Sequence, residues 1–330
     1  MSANISAKAK ALYGALQSSL GTASTLTAAD ITRTSGLSHT IYDGQTQTIA
    51  YDGQDGRNDF EKHVDFWNKY NFEMDLVGGG DDGGTDILEP PVARFLRACG
   101  WDMDSTVPNQ RTFTLSDRSN IDAITLGSTR RKATNGAGDF EVYRYDTFDA
   151  RGQAALQFSD DRPKFVFSEF TGKYVRPYRI ASTPLGTDVP TTSFVSPNPL
   201  IDSAYTTLRW KGQDLCTHAL SIPNMGWTVV GIDRPGCSEV HLNEQKIMIE
   251  ITFKQTDWEN EFNPFQEAED HQVQNYENFK LVCDDRVGHI FKLDATARLK
   301  NVQETDLSDG SVGVTAQLEV DTMTFGWYAE

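Results

Sequence analysis

Between Val64 and Leu76 the chain alternates with one interruption. Val64, Phe66, Tyr70, Phe72, Met74 and Leu76 take the even positions, broken only by Asn68. Asp65, Trp67, Lys69, Asn71, Glu73 and Asp75 take the odd ones. A period of two predicts a strand with one face in a core and the other in water. These residues at about 3.3 Å each would extend roughly 43 Å, far beyond the usual strand of about five or six residues. A wall or a barrel needs such a strand; an enzyme core rarely does. Gly78-Gly79-Gly80 follows, where the backbone can take conformations closed to other residues. Pro90-Pro91 then suits the first turn of a helix with Val92, Phe95, Leu96 and Cys99 on its apolar face, and Gly100 fits a left-handed cap.

The rest of the chain divides around this pattern. Residues 1–46 read as an N-terminal arm: a short helix over 5–20, with Ile5, Ala9, Leu12 and Leu16 near one face, then a Ser/Thr/Gly-rich extended stretch. Residues 47–176 read as a first β half. It holds the long strand, the helix, strands at Arg111–Leu115 and Glu141–Arg144, a polar loop containing Arg130-Arg131-Lys132, and a hairpin turning at Asp160-Asp161. Residues 177–206 carry Pro177, Pro184, Pro190, Pro197 and Pro199 and read as a linker. Residues 207–330 read as a second β half. Ile247, Ile249, Ile251 and Phe253 alternate in a strand over Val240–Lys254, a helical segment is expected near Pro264–Phe279, and a closing hairpin turns within Asp306–Gly310. Each half thus runs long strand, helix, strands, long hairpin, a pattern consistent with internal duplication.

Lys and Arg number 30 against 47 Asp and Glu, a formal net charge of −17. That balance opposes a role in gripping nucleic-acid phosphates. The four cysteines, Cys99, Cys216, Cys237 and Cys283, form no CxxC pair, and reduced thiols in a cytoplasmically assembled protein are the simplest reading. There is no secretory h-region and no apolar run of membrane-spanning length, so no membrane insertion by this chain is expected.

Chemistry is hard to find. Gly78–Gly84 lacks the Gly-Lys-Ser/Thr ending of a phosphate loop, and Asp81, Asp82, Asp86 and Glu89 lack the ligand order of an EF-hand. No two histidines lie within four residues of each other, and no GxSxG elbow occurs. The expectation is no enzyme, no catalytic residue, no metal and no cofactor. Six scattered tryptophans leave a carbohydrate-binding β-sandwich, such as an adhesin or receptor-binding virion protein, as the alternative.

Three stretches carry a resemblance. NFEMDLVGGGDDGGTDILEPPVARFLRACGW, with its Leu96-Arg97-Ala98-Cys99-Gly100 run, resembles a segment of the major tail tube proteins of long-tailed bacteriophages (siphophage type). Ala150–Pro177 resembles the hairpin that closes their first half, and LYGALQSSLGTASTLTAADI resembles their extended arm. The acidic GGGDDGG loop and the region around Trp258–Phe265 depart from that pattern. The resemblance implies a mainly β tail-tube sandwich/barrel unit with one short helix per half, internally duplicated, whose long strands join an intersubunit β-barrel. It implies a structural virion protein of the tail, assembled in the host bacterial cytoplasm into stacked rings. Its partners would be copies of itself, tape-measure and tail-end proteins, and genomic DNA as passing cargo.

If the duplication holds, three chains supply six pseudo-equivalent units per ring, and this trimeric ring is favoured over a true hexamer. The expected channel lining is Asp65, Glu73 and Asp75 with Glu250, Glu319 and Asp321, diluted by Lys69, Lys246 and Lys254. An acidic wall would repel DNA phosphates. Leu12, Tyr13, Leu16, Trp67, Gly78, Gly79, Gly80, Asp81 and Asp82 are the expected contacts between subunits or rings.

Overall fold

A computed structural model describes residues 5–49, 60–80, 86–133, 140–159, 162–180, 206–234, 237–255, 263–269, 276–283 and 289–329. The first half holds β1 (Ile5–Leu16), β2 (Ile31–Thr32), β3 (Ser35–Ile49), β4 (Phe60–Asp75), α1 (Ala93–Ala98), β5 (Trp101–Asp104), β6 (Gln110–Leu115), β7 (Ile124–Ala133), β8 (Phe140–Ser159), β9 (Arg162–Tyr174) and β10 (Tyr178–Ile180). The second holds β11 (Thr206–Trp210), β12 (Gln213–Asp214), β13 (Thr217–Ile222), β14 (Trp227–Arg234), β15 (Cys237–Gln245), β16 (Met248–Lys254), α2 (Pro264–Glu269), β17 (Glu277–Cys283), β18 (Ile290–Asp306) and β19 (Val312–Tyr328). The chain is mainly β.

The alternation that opened the reading forms β4, with Tyr70, Phe72 and Met74 buried. α1 follows with Val92, Phe95, Leu96 and Cys99 all buried, and Gly100 turns the chain at φ +94°. A side chain at Gly100 would also collide with Trp227, whose ring lies 2.6 Å from the position of a Cβ.

Several expectations are corrected. Residues 5–16 form β1, not a helix, because they fill the edge of β7 and pair with it from Leu16↔Ile124 to Lys10↔Arg130. The stretch expected to be an extended arm contains β2 and the fifteen-residue β3, paired with β4 and anchored by His39, whose ring stacks on Tyr70 at 4.0 Å. Arg130, Arg131 and Lys132 belong to β7 and not to a loop; the Arg130 guanidinium lies over the Tyr145 ring at 5.1 Å. The strand expected over Val240–Lys254 breaks after Gln245 into β15 and β16, and Phe279 belongs to β17 rather than to a helix. Asp160-Asp161 and linker residues 181–205 lie outside the described residues.

Two strand orders organise the molecule. In the first half the antiparallel order is β1–β7–β8–β9–β4–β3. In the second it is β11–β17–β18–β19–β16–β13. The ladders of the long strands shift register between Phe148 and Gln153 of β8 against β9 and between Thr296 and Asn301 of β18 against β19. Between the layers of the first half lies Phe95, 5.0 Å from the Phe72 ring and 5.7 Å from that of Phe167. On its other side Phe95 lies against Gly14 of β1, where a Cβ would come within 2.9 Å.

The halves share one core. Phe165 of β9 meets Phe291 of β18 and Phe325 and Trp327 of β19. Strand pairs also cross between halves: β13 adds to β8, and β6 adds to the end of β19.

Candidate functional site

The pairings β3–β4, β4–β9, β9–β8, β8–β13, β13–β16, β16–β19 and β19–β18 build one antiparallel run of eight strands, four from each half. Met74, Phe165, Leu156, Ile222, Ile249, Leu318 and Leu299 are buried on one face of this run. The other face follows from the alternation and is polar. It holds Asp75, Lys164, Gln157, Ser221, Glu250 and Gln317, each the cross-strand partner of the next. Such a surface, built on paired backbone with a continuous core behind it, is a rigid wall.

Several carboxylates on or beside this face have cationic partners, and Glu250 has a neutral one. Lys69 Nζ lies 2.7 Å from Asp43 and 3.2 Å from Glu169. Its pKa is held above the ordinary value by the Asp43 hydrogen bond first and Glu169 next, against some burial. Lys164 bonds Glu73 at 3.0 Å. Arg298 donates to Glu319 from Nε at 3.0 Å and from Nη2 at 2.7 Å, and this contact lowers the Glu319 pKa. Gln317 donates to Glu250 at 3.0 Å. Among the expected lining residues, Glu73, Glu250 and Glu319 therefore gather on one polar face with Lys69 and Asp75, and Lys254 stands exposed at its margin. Asp321 is exposed on β19 beyond its pairing with β16, and Lys246 lies between β15 and β16. Asp65 lies in β4, and its side chain is outside the described residues.

Several residues expected at intersubunit contacts pack within their own chain. Leu12 and Tyr13 are buried in their own chain, with Arg144 over the Tyr13 ring at 5.2 Å, and Leu16 packs against the same core. Trp67 is only 6% exposed because β14 crosses it at Gly231, where a Cβ would sit 3.0 Å from the indole. Gly78 is buried. Gly79 lets the chain pass Leu88, whose carbonyl oxygen would lie 2.2 Å from any Cβ there. Gly80, at φ +84°, accepts the Leu88 N–H at 2.9 Å. These glycines close a loop of their own chain. Asp81 and Asp82 lie outside the described residues. Asp86, considered as a cation ligand, instead receives both Nη atoms of Arg111, at 3.0 and 2.8 Å, and the N–H groups of Ile87 and Asn109. Those bonds, Arg111 foremost, hold its carboxyl far below the usual range.

A groove of about 600 Å³ opens in the second half, lined by Phe158, Leu208, Cys216, His218, Leu220 and Leu281. Among the described residues no three His, Cys, Asp or Glu side chains gather as a metal site. Burial pushes the Cys99 thiol up, as suits an inert core cysteine. No helix of the described residues is long and apolar enough to cross a membrane.

The sequence reading missed the partners of its charged residues: Asp43 and Glu169 for Lys69, Lys164 for Glu73 and Arg298 for Glu319. Their signal is register: Arg298 stands directly opposite Glu319, and Lys164 opposite Asp75. Opposite charges on facing strands show only once the pairing is known. No protein-family model and no curated protein sequence matches the chain.

Proposed function

We propose that this chain is a structural subunit of a phage tail tube, assembling with copies of itself into stacked rings around a channel that passes DNA. The observation that carries the reading is the eight-stranded run with two matched strand orders, β1–β7–β8–β9–β4–β3 and β11–β17–β18–β19–β16–β13. The matched orders favour an internal duplication, and three copies closing a ring would present six four-stranded units. A closed barrel removes the unpaired edges that long strands otherwise offer for aggregation.

The polar face is the channel wall in this reading. Carboxylates, several of them ion-paired, among hydroxyls and amides give phosphates no cationic patch to hold them; DNA slides because nothing on the wall binds it. The adhesin alternative needs exposed indoles to stack on sugars, whereas Trp67, Trp101, Trp210 and Trp327 are buried. Negative-stain microscopy of the purified chain tests the proposal. Rings or hollow rods are the expected result; discrete globules that bind glycans would overturn it.

A further inference from the structure

The eight-stranded run ends on two edges. β3 pairs with β4 alone, and residues 298–306 of β18 pair with β19 alone, among the described residues. Exposed edges of this length invite another strand. Inside the chain a junction of the same kind is already made. β13, the end strand of the second half, adds to β8 of the first, with Leu220↔Phe158, Ser221↔Gln157 and Ile222↔Leu156. In the matched strand orders β13 corresponds to β3, and β8 corresponds to β18.

We infer that the β18 edge of one copy receives the β3 edge of a second copy, antiparallel, in the register of the internal β13–β8 junction. Residue identity supports that register. Ser221 stands opposite Glu250 in the second half, and Ser35 stands opposite Glu73 in the first. Ser221 also faces Gln157 across the internal junction, and the corresponding position on β18 is Gln303. Ser35 of one copy therefore pairs with Gln303 of the next, and Thr34, the residue preceding β3, with Glu304. The contact is head-to-tail, so it generates a ring or a filament rather than a two-fold dimer. It continues the polar wall from one chain into the next.

This inference rests on the ring-building function and names the surfaces that perform it. The test is oxidative cross-linking of the full chain carrying S35C with Q303C, and separately T34C with E304C. Antiparallel rows alternate between wide and narrow spacing, so one of the two pairs falls in the narrow row, with Cα atoms about 4.5 Å apart. The expected result is a ladder of covalent multimers on a non-reducing gel from one double variant, with no ladder from the wild type or from any single variant. Rings in the microscope without a ladder from either double variant would overturn the edge assignment while leaving the tube reading intact. A chain that stays monomeric at every concentration would overturn both.

Discussion

The two halves share a strand order and differ in how they fill it. In the first, α1 drives Phe95 between the layers, fully buried among Phe72, Phe167 and Phe170. In the second, α2 buries Pro264, while Phe265 is only partly buried. α2 is held at its first turn instead: Asn263 Oδ1 accepts the N–H groups of Phe265 and Gln266, and Lys211 pairs with Glu267. The link between the first two strands differs too. Residues 17–30 of the first half include buried Leu26, whereas Lys211-Gly212 is the whole link in the second, beside the open groove. One topology is thus stabilised by a plug on one side and by a cap and an ion pair on the other.

The sharpest way to break that comparison is to remove both rings. Phe95→Ala should cost about 3–5 kcal/mol, because the lost ring leaves a void between two sheets that cannot collapse onto each other. Phe265→Ala should cost about 1 kcal/mol, as its ring keeps contact with water. Denaturant melts of the two variants read the difference; equal losses would mean that the helices play the same role.

A second contrast concerns ion pairs at the loops. Arg111, with its side chain 10% exposed, meets Asp86 in the first half, whereas Arg209 and Asp214 of the second stand largely in solvent. The Asp86 pKa is depressed in the folded state, so its contribution is complete above the unfolded carboxylate value of about 3.9 and is lost as pH falls below it. Asp86→Asn should lower the melting temperature at pH 7 and flatten its fall between about pH 4 and 2. Asp214→Asn should shift the same curve far less, despite a carboxyl also lowered by its arginine. Melting curves against pH distinguish the two.

What could be read beforehand follows from where the information resides. β4, α1 and the β18–β19 hairpin carry their burial in their own periodicity, and Gly100 marks its turn by residue type alone. β1 did not: Ile5, Ala9, Leu12 and Leu16 fit a helical face, and only the open edge of β7 makes that segment a strand. Between Ser35 and Thr40, β3 has Leu37 as its one aliphatic residue, so its pairing is largely a property of β4. The wall was half legible for the same reason. Glu73, Glu250 and Glu319 declare themselves as outward-facing by alternation, but the cations of Glu73 and Glu319 lie on other strands, and no local pattern joins Lys164 to Glu73.

The smallest effects should come from those wall pairs, and they compare the halves directly. Lys164 and Glu73 are each about a third exposed, and Arg298 and Glu319 are similarly wet. Pairs of this kind contribute about 0.2–1 kcal/mol. Glu319 also has Lys300 at 3.8 Å, so Glu319→Gln should cost a few tenths of a kcal/mol more than Glu73→Gln. Added salt at about 1 M, where the Debye length is about 3 Å, should erase that difference. A loss above about 2 kcal/mol that persists in salt would instead make these pairs structural supports of the sheet. Small, salt-sensitive losses fit a wall whose charges serve its surface, with the core face behind it carrying the stability.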